Sequence, residues 1–186
     1  AVAEPVASNL NIDVVALVCE EAGSERGLQL QLYLSSPGPL IPTGASPQHL
    51  KEQARAEIAL DGQVFPVDIL FADDRVVLAD ARRQQAPVLS DRLVGAMQTA
   101  RTMQLRFDLV TMHPGQDAQE FDGEATIDMR AGAGSKAVAA VRRCAARTGP
   151  GGIPGCRRST SSPTPVSRSR CWSGGRSSAR SASGSC

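Results

Sequence analysis

The sequence predicts a mainly β domain of the α+β class: an antiparallel sandwich or partly open barrel with two short helices. Three observations indicate this fold class. Several runs alternate apolar and polar residues with a period of two, which is typical of strands that bury one face. Clusters of Gly, Pro, Asp and Ser separate these runs. Two segments, which follow Ser90 and Ser135, have a helical pattern instead.

A hairpin over residues 54–71 is the element against which the others are expected to pack. Asp61-Gly62 is typical of a two-residue turn, because both residues tolerate a positive φ. The runs before and after this turn each carry an apolar stripe, and such a pair is not stable alone. Pro66 has no N–H to donate, so we expect it to face solvent at a sheet edge or to lie at a bulge.

Two strands, residues 10–19 and 28–34, precede the hairpin and are expected to pair antiparallel. The first is dense in β-branched residues and does not alternate cleanly, which predicts burial on both faces. The second alternates, with its leucines inward and Gln29, Gln31 and Tyr33 outward.

A Pro-rich surface loop is predicted over residues 35–50. A loop of this length without its own structure is often functional. We therefore expect it to contact a partner through Pro37, Pro39, Leu40, Ile41, Pro42 and His49.

The remaining elements complete the order β-β, long loop, β-β-β, α, β-β, α. Ser90 is a fitting N-cap for the first helix, and Asp91 follows it where the helix dipole favours negative charge. Ser135 is the expected cap of the second helix. The predicted strands are residues 75–80, 102–110 and 121–129. The large rings expected in the core are Phe65, Phe71 and Phe107.

Charge divides the chain into two parts. Residues 1–146 contain 13 Lys and Arg and 19 Asp and Glu, giving 13 − 19 = −6. Residues 147–186 contain seven Arg and no acidic residue, giving +7. We therefore predict a flexible N-terminus over 1–9, one β-rich domain over 10–146 and a disordered Arg/Ser/Gly-rich tail over 147–186, because such a tail cannot bury enough apolar surface to order itself.

Two interpretations of the tail remain open. It is either an Arg/Ser segment that binds phosphate-bearing polymers, or a sequence derived from a frameshift. The absence of Lys beside abundant Arg, Gly, Pro and Ser favours the second, because GC-rich DNA read out of frame has this composition.

Cys19 and Cys144 are the two cysteines of the predicted domain. They can form a disulfide if the protein is exported to an oxidising compartment. The alternative is two buried free thiols that pack as small hydrophobic residues. Cys156, Cys171 and Cys186 have neither CxxC spacing nor histidine partners, so a metal site is not expected there.

No catalytic, cofactor-binding or metal-binding residues are predicted. His49 lies in the Pro-rich loop and His113 precedes a proline, so both are expected to be exposed loop residues. The glycines between Arg130 and Lys136 lack the spacing of a phosphate loop. We expect no cofactor, and the acidic domain does not favour nucleic-acid binding.

The N-terminal residues AVAEPVASN resemble what remains after removal of a secretory signal, although an ordinary flexible terminus explains them equally well. No run of apolar residues approaches the roughly 18 that a spanning helix needs. The expected location is therefore the periplasm or the exterior of the cell.

A family resemblance is visible over residues 12–146. The strand ending in Cys19, the Asp-Gly hairpin, the segment LSDRLVGAMQTARTMQLRF and the segment ATIDMRAGAGSKAVAAV resemble the invasion-associated locus B family of small exported bacterial β proteins. The chain differs from that family in lacking a Trp before the first cysteine and further internal cysteines. The resemblance implies a periplasmic or envelope-associated protein without enzymatic activity, and it transfers no catalytic residues.

The leading functional hypothesis is a non-catalytic exported domain that contacts an envelope protein, through the Pro-rich loop and the edge near Pro66. Deletion of residues 38–48 is expected to leave the fold intact and to weaken capture of the partner. The first alternative is a small-ligand binder or enzyme that uses the mouth of the sheet, with His49 or His113 as base. The second is nucleic-acid binding through the Arg/Ser tail. The partner and the oligomeric state are not predicted.

Overall fold

The structure, a computed structural model, describes residues 1–22, 25–72, 75–84, 86–111, 121–130 and 134–146, apart from the side chains of Ala22, Glu25, Ser135 and Ala145. Within these ranges the chain is mainly β, with a curled, half-barrel antiparallel sheet and two helices, so the predicted fold class is confirmed. The predicted disordered tail, residues 147–186, lies outside the described residues.

The described elements follow one another in a β-rich order. The strands are β1 (Val2–Ala3), β2 (Ala7–Ser8), β3 (Ile12–Ala22), β4 (Glu25–Leu34), β5 (Leu50–Leu60), β6 (Gln63–Phe71), β7 (Arg75–Ala79), β8 (Ala81–Arg83), β9 (Ala86–Val88), β10 (Thr102–Val110) and β11 (Gly123–Asp128). The helices are α1 (Asp91–Thr99) and α2 (Gly134–Ala145), with a short 3-10 turn at Pro47–His49.

Nine of the described strands form one sheet in the order β1-β3-β4-β7-β6-β5-β10-β11-β2. Its two ends, β1 and β2, belong to the same short N-terminal segment and are joined by residues 4–6. The sheet must therefore curl until β3 and β11, the strands next to its two ends, approach each other. The core fills the concave side, where the side chains of Leu32, Ile58 and Phe107 are fully buried.

The prediction of a flexible N-terminus over residues 1–9 is wrong. β1 pairs with β3 and β2 pairs with β11, and the Ala1 amine donates a hydrogen bond to the Leu17 carbonyl at 2.8 Å. The physical reason is that both edges of the curled sheet carry unpaired backbone groups, and this segment satisfies them. Local sequence pattern does not show this, because both partners are distant in the chain.

The central hairpin forms as predicted. Asp61 and Gly62 have φ values of 46° and 92°, and β5 pairs with β6 from Leu60↔Gln63 to Ala56↔Val67. The Asp61 carboxylate also accepts hydrogen bonds from the backbone N–H groups of Arg101 and Thr102, and these bonds lower the pKa of Asp61. Asp61 therefore links the turn to the start of β10.

A second, two-stranded hairpin of β8 and β9 lies against β4. Pro87 accepts a hydrogen bond from the Gln29 side chain at 2.8 Å, and Val88 occupies the space that a Cβ of Gly27 would need. Gln31 is buried and hydrogen-bonds to Gln29, and Tyr33 donates to Gln31. These outward side chains of β4 were expected to face solvent, but two of them are buried in a hydrogen-bonded row.

The helices pack where the sequence places them, with one difference at a cap. Ser90 caps α1, and its side chain accepts from the Leu93 N–H at 3.2 Å. α2 begins at Gly134, so Ser135 lies in its first turn and not before it. Gly134 is required there, because a Cβ would stand 2.1 Å from the Met129 carbonyl oxygen.

The predicted bridge between Cys19 and Cys144 is present. It joins β3 to α2, with the Cα atoms 6.3 Å apart and a sequence separation of 125 between the two cysteines. Cys156, Cys171 and Cys186 lie outside the described residues.

Candidate functional site

The two strands of the central hairpin separate after the pair Ala56↔Val67. Beyond this point β6 pairs with β7 through Asp68–Phe71, whereas β5 continues beside β10. The sheet therefore divides between Glu52–Arg55 of β5 and Asp68–Phe71 of β6. The opening, which we call the fork cleft, has a volume of about 700 Å³.

Pro66 lies next to this division, and the prediction that it faces solvent at a sheet edge is confirmed. It is exposed and stands opposite Glu57 in the β5–β6 ladder, while β7 begins to pair with β6 only at Asp68. The missing N–H of Pro66 therefore falls on a side of β6 that has no neighbouring strand.

Phe71 ends β6 at the rim of the fork cleft, and the prediction that its ring lies in the core is wrong. Its side chain is 61% exposed, whereas Phe65 and Phe107 are buried as expected. The inward stripe of β6 loses cover along its length: Phe65 and Val67 are buried, Ile69 is half-buried and Phe71 is exposed. The cause is the departure of β5, which removes the neighbour that would cover this end of the stripe.

A second cleft lies on the other side of Phe71. It has a volume of about 570 Å³ and is lined by Leu34–Pro39, Phe71, Ala72, Arg75 and Val76. An exposed aromatic ring between two clefts is the kind of side chain that anchors protein interfaces.

Ion pairs with β10 hold the wall that β5 contributes to the fork cleft. Asp108 is 4% exposed and accepts hydrogen bonds from Lys51 and from two nitrogens of Arg55, Nε at 3.0 Å and Nη2 at 2.8 Å. Burial by itself raises the pKa of Asp108, but the hydrogen bonds and charges of Lys51 and Arg55 outweigh it and hold that pKa below its usual value. The carboxylate is a fixed anion that positions two cations, and is not poised for proton transfer.

A second ion pair also joins β5 to β10. Arg106 forms an ion pair with Glu57, and its guanidinium stands 4.8 Å from the centre of the Phe121 ring. Phe121 also lines the fork cleft. These ion pairs, three cations with two carboxylates, give the wall a defined shape and little net charge.

The predicted contact loop is divided by the structure. Pro37, Pro39 and His49 are exposed, but Leu40 is 1% exposed, Pro42 is buried and Ile41 is half-buried. The Ile41 N–H donates to the Asn11 side chain at 2.9 Å, and Leu10 bridges to Pro42. Leu40, Ile41 and Pro42 therefore cover the end of the core, and the expectation that residues 38–48 can be deleted without loss of the fold is wrong.

The structure describes one of the two histidines, His49. His49 is exposed at the end of the 3-10 turn, where its backbone carbonyl accepts from Thr111, and it lines none of the clefts described above. His113 lies outside the described residues. Among the residues that are described, no group of three His, Cys, Asp or Glu side chains is placed to hold a metal ion.

A smaller, mainly apolar cavity lies beneath α2, bordered by the N-terminal residues Ala1–Ala3. It has a volume of about 90 Å³, and its lining includes Leu17, Leu30, Met97, Met103, Ile127 and Val138, together with Asp128. Most of these side chains are aliphatic or thioether groups, so the cavity can accept an apolar group.

A comparison of the chain with known protein families, curated proteins and solved structures finds no match. Within the described part of the chain, no helix is both long and apolar enough to cross a membrane.

The fork cleft was missed by sequence reasoning because both strands that form it have a regular alternating pattern. A weak signal existed at Phe71, since a large apolar residue that directly precedes a turn stands at the end of its strand. Whether a neighbouring strand covers that end depends on pairing across the sheet, which local pattern does not specify.

Proposed function

We propose that the protein is a non-catalytic, exported domain that binds another protein of the bacterial envelope through the surface around Phe71. The observation that carries this proposal is the 61% exposed Phe71 ring between two clefts. Exposed aromatic side chains of this kind contribute a large share of binding energy in protein interfaces.

Export to the periplasm or the exterior rests on two further observations. The Cys19–Cys144 bridge is typical of proteins in oxidising compartments. The resemblance of residues 12–146 to the invasion-associated locus B family implies the same location.

Replacement of Phe71 by Asp tests the contact surface. Capture from a solubilised envelope extract should be lost for the Phe71→Asp variant, because a carboxylate replaces the anchoring ring. Val64→Asp is the matched control, since Val64 is an exposed apolar residue of the same strand, 43% exposed, outside both clefts. Circular dichroism should show an unchanged fold for both variants, and equal capture by Phe71→Asp and the unchanged protein would refute the proposal.

A second candidate function is the binding of a small apolar ligand, which the cavity beneath α2 favours. Its volume of about 90 Å³ is smaller than the roughly 150 Å³ known to hold benzene, so it suits a compact apolar group. Xenon under pressure should shift the methyl resonances of Met97 and Met103 in an NMR spectrum. Unchanged resonances would exclude this function.

A further inference from the structure

We propose that the fork cleft takes an extended peptide strand of the partner, which pairs with the open edge of β6 at Ile69 and Phe71. This inference rests on the proposed function, because it names how the partner of the Phe71 surface is recognised. It requires that backbone groups, and not side chains alone, be available in the cleft.

The hydrogen-bonding direction of β6 follows from its two neighbours. On the side of β7, the Ala72 N–H donates to the Arg75 carbonyl at 2.9 Å, and the register continues through Leu70↔Val77 and Asp68↔Ala79. Because hydrogen-bonded pairs alternate along an antiparallel ladder, residues 68, 70 and 72 bond to β7. Residues 69 and 71 must then direct their N–H and C=O groups to the opposite side.

The opposite side of β6 is where β5 has departed. The two-residue turn makes Leu60↔Gln63 a hydrogen-bonded pair, so Gln63, Phe65 and Val67 bond to β5 in turn. The next residues in this series are Ile69 and Phe71. In the described structure the β5–β6 pairing ends before them, at Ala56↔Val67. Within the described residues, two consecutive pairs of backbone groups therefore face the fork cleft without a strand partner.

The side chains of the cleft also lack the cover that a strand would supply. Ala54 and Ile69 line the cleft, are apolar and partly buried, and pack against the core, and Phe71 is exposed beside them. A strand paired with β6 would place every second side chain on the same face as Ile69 and Phe71. Apolar residues at those positions would complete the core.

Charge indicates what the other face of the strand should carry. The charged residues lining the cleft are of both signs, namely Glu52, Arg55, Glu57, Asp68 and Arg82. Arg55 shares the Asp108 carboxylate with Lys51, and Glu57 is paired with Arg106. A segment with uncharged polar residues therefore fits better than a strongly acidic or basic peptide, and a nucleic acid is disfavoured. The expected ligand is an extended segment that alternates apolar and uncharged polar residues, bound by β-strand addition.

The test uses the full chain and a short acetylated and amidated peptide in which valine and threonine alternate between terminal lysines. Isothermal titration should show binding to the unchanged protein and to Val64→Asp, and at least about a tenfold loss of affinity for Phe71→Asp. Two N-methylated peptides, methylated at every valine or at every threonine, then report on the backbone. At least one of them should bind at least about tenfold more weakly, because N-methylation removes the N–H groups that pair with β6.

Equal affinity of both N-methylated peptides and the parent peptide would overturn strand addition, and so would a failure of the parent peptide to bind. If the parent peptide fails while Phe71→Asp still abolishes capture from the envelope extract, the contact surface stands and its strand-like mode is refuted. If neither depends on Phe71, both proposals fail.

Discussion

Asp108 illustrates how a single buried carboxylate organises the wall of the fork cleft. It is 4% exposed, and Lys51 and Arg55 both donate hydrogen bonds to it. A buried charge is tolerated only when it is paired and hydrogen-bonded, so the carboxylate and its two cations form one unit. The alternating pattern of residues 102–110 does not show that Asp108 is buried, because its cover comes from partners on the distant strand β5.

Replacement of Asp108 by Asn should destabilise the fold by about 1–2 kcal/mol at pH 7, because three hydrogen bonds to a charged group are weakened and two cations lose their charged partner. Urea unfolding followed by circular dichroism measures this change. Asp68→Asn is the matched control, because Asp68 is exposed. A loss for Asp68→Asn as large as for Asp108→Asn would contradict the role given to Asp108.

The difference in stability between Asp108→Asn and the unchanged protein should depend on pH. The pKa of Asp108 is lower in the folded state than in the unfolded chain, so its contribution is present above the unfolded pKa of about 3.9. It is lost as the pH falls through the folded pKa. The difference in stability between Asp108→Asn and the unchanged protein should therefore be constant from about pH 5 to 8 and shrink below about pH 4. A difference that grows on acidification would be inconsistent with a depressed pKa.

Among the elements, the segment of residues 35–50 departs furthest from its predicted role. Its prolines predict an extended surface loop, and its exposed part, Pro37 and Pro39, has that character. Leu40, however, is buried in the core, and Asn11 bonds to both sides of it, at Pro39 and Ile41. The part of the segment that contains Pro37 and Pro39 is therefore an accessible surface. The part that begins at Leu40 covers the core.

Leu40→Ala should cost about 2–5 kcal/mol of stability, because it leaves a cavity under a fixed segment. Pro37→Ala, at an exposed position of the same segment, should change stability by less than about 0.5 kcal/mol. Urea unfolding curves of the two variants measure the difference. Equal stabilities would mean that the segment does not cover the core.

The disulfide that attaches α2 to β3 should stabilise the fold. The Cys19–Cys144 bridge closes a segment of 125 residues, which on chain-entropy grounds stabilises the fold by about 4–5 kcal/mol, an upper figure for real disulfides. The double change Cys19→Ser and Cys144→Ser should lower the melting temperature. A reductant should lower that of the unchanged protein to the same value and leave the double variant unaffected. An unchanged melting temperature on reduction would show that the bridge does not contribute.

At the scale of the whole molecule, a short N-terminal segment joins both ends of the curled sheet. β1 and β2 pair with β3 and β11, and they are separated by residues 4–6. The sheet also divides in its middle, where β5 and β6 separate after the pair Ala56↔Val67. This division leaves backbone groups of β6 facing the fork cleft.

Individual elements show how much of this fold can be predicted from local sequence pattern. The predicted strand over residues 102–110 coincides with β10, and the Asp-Gly turn and the Ser90 cap form as expected, because each depends on residues close in sequence. The paired N-terminus, the buried Leu40 and the exposed Phe71 were not predicted. Each depends on a partner far away in the chain, and the candidate site arises from one of these long-range events.

Amide hydrogen exchange along β6 tests most directly whether the sheet divides after Val67. In the free protein, the amides of Asp68 and Leu70 should exchange slowly, because they bond to β7, whereas those of Ile69 and Phe71 should exchange rapidly into the fork cleft. Residue-resolved NMR measures all four. Protection of Ile69 and Phe71 equal to that of Asp68 and Leu70 would contradict an open edge at this position.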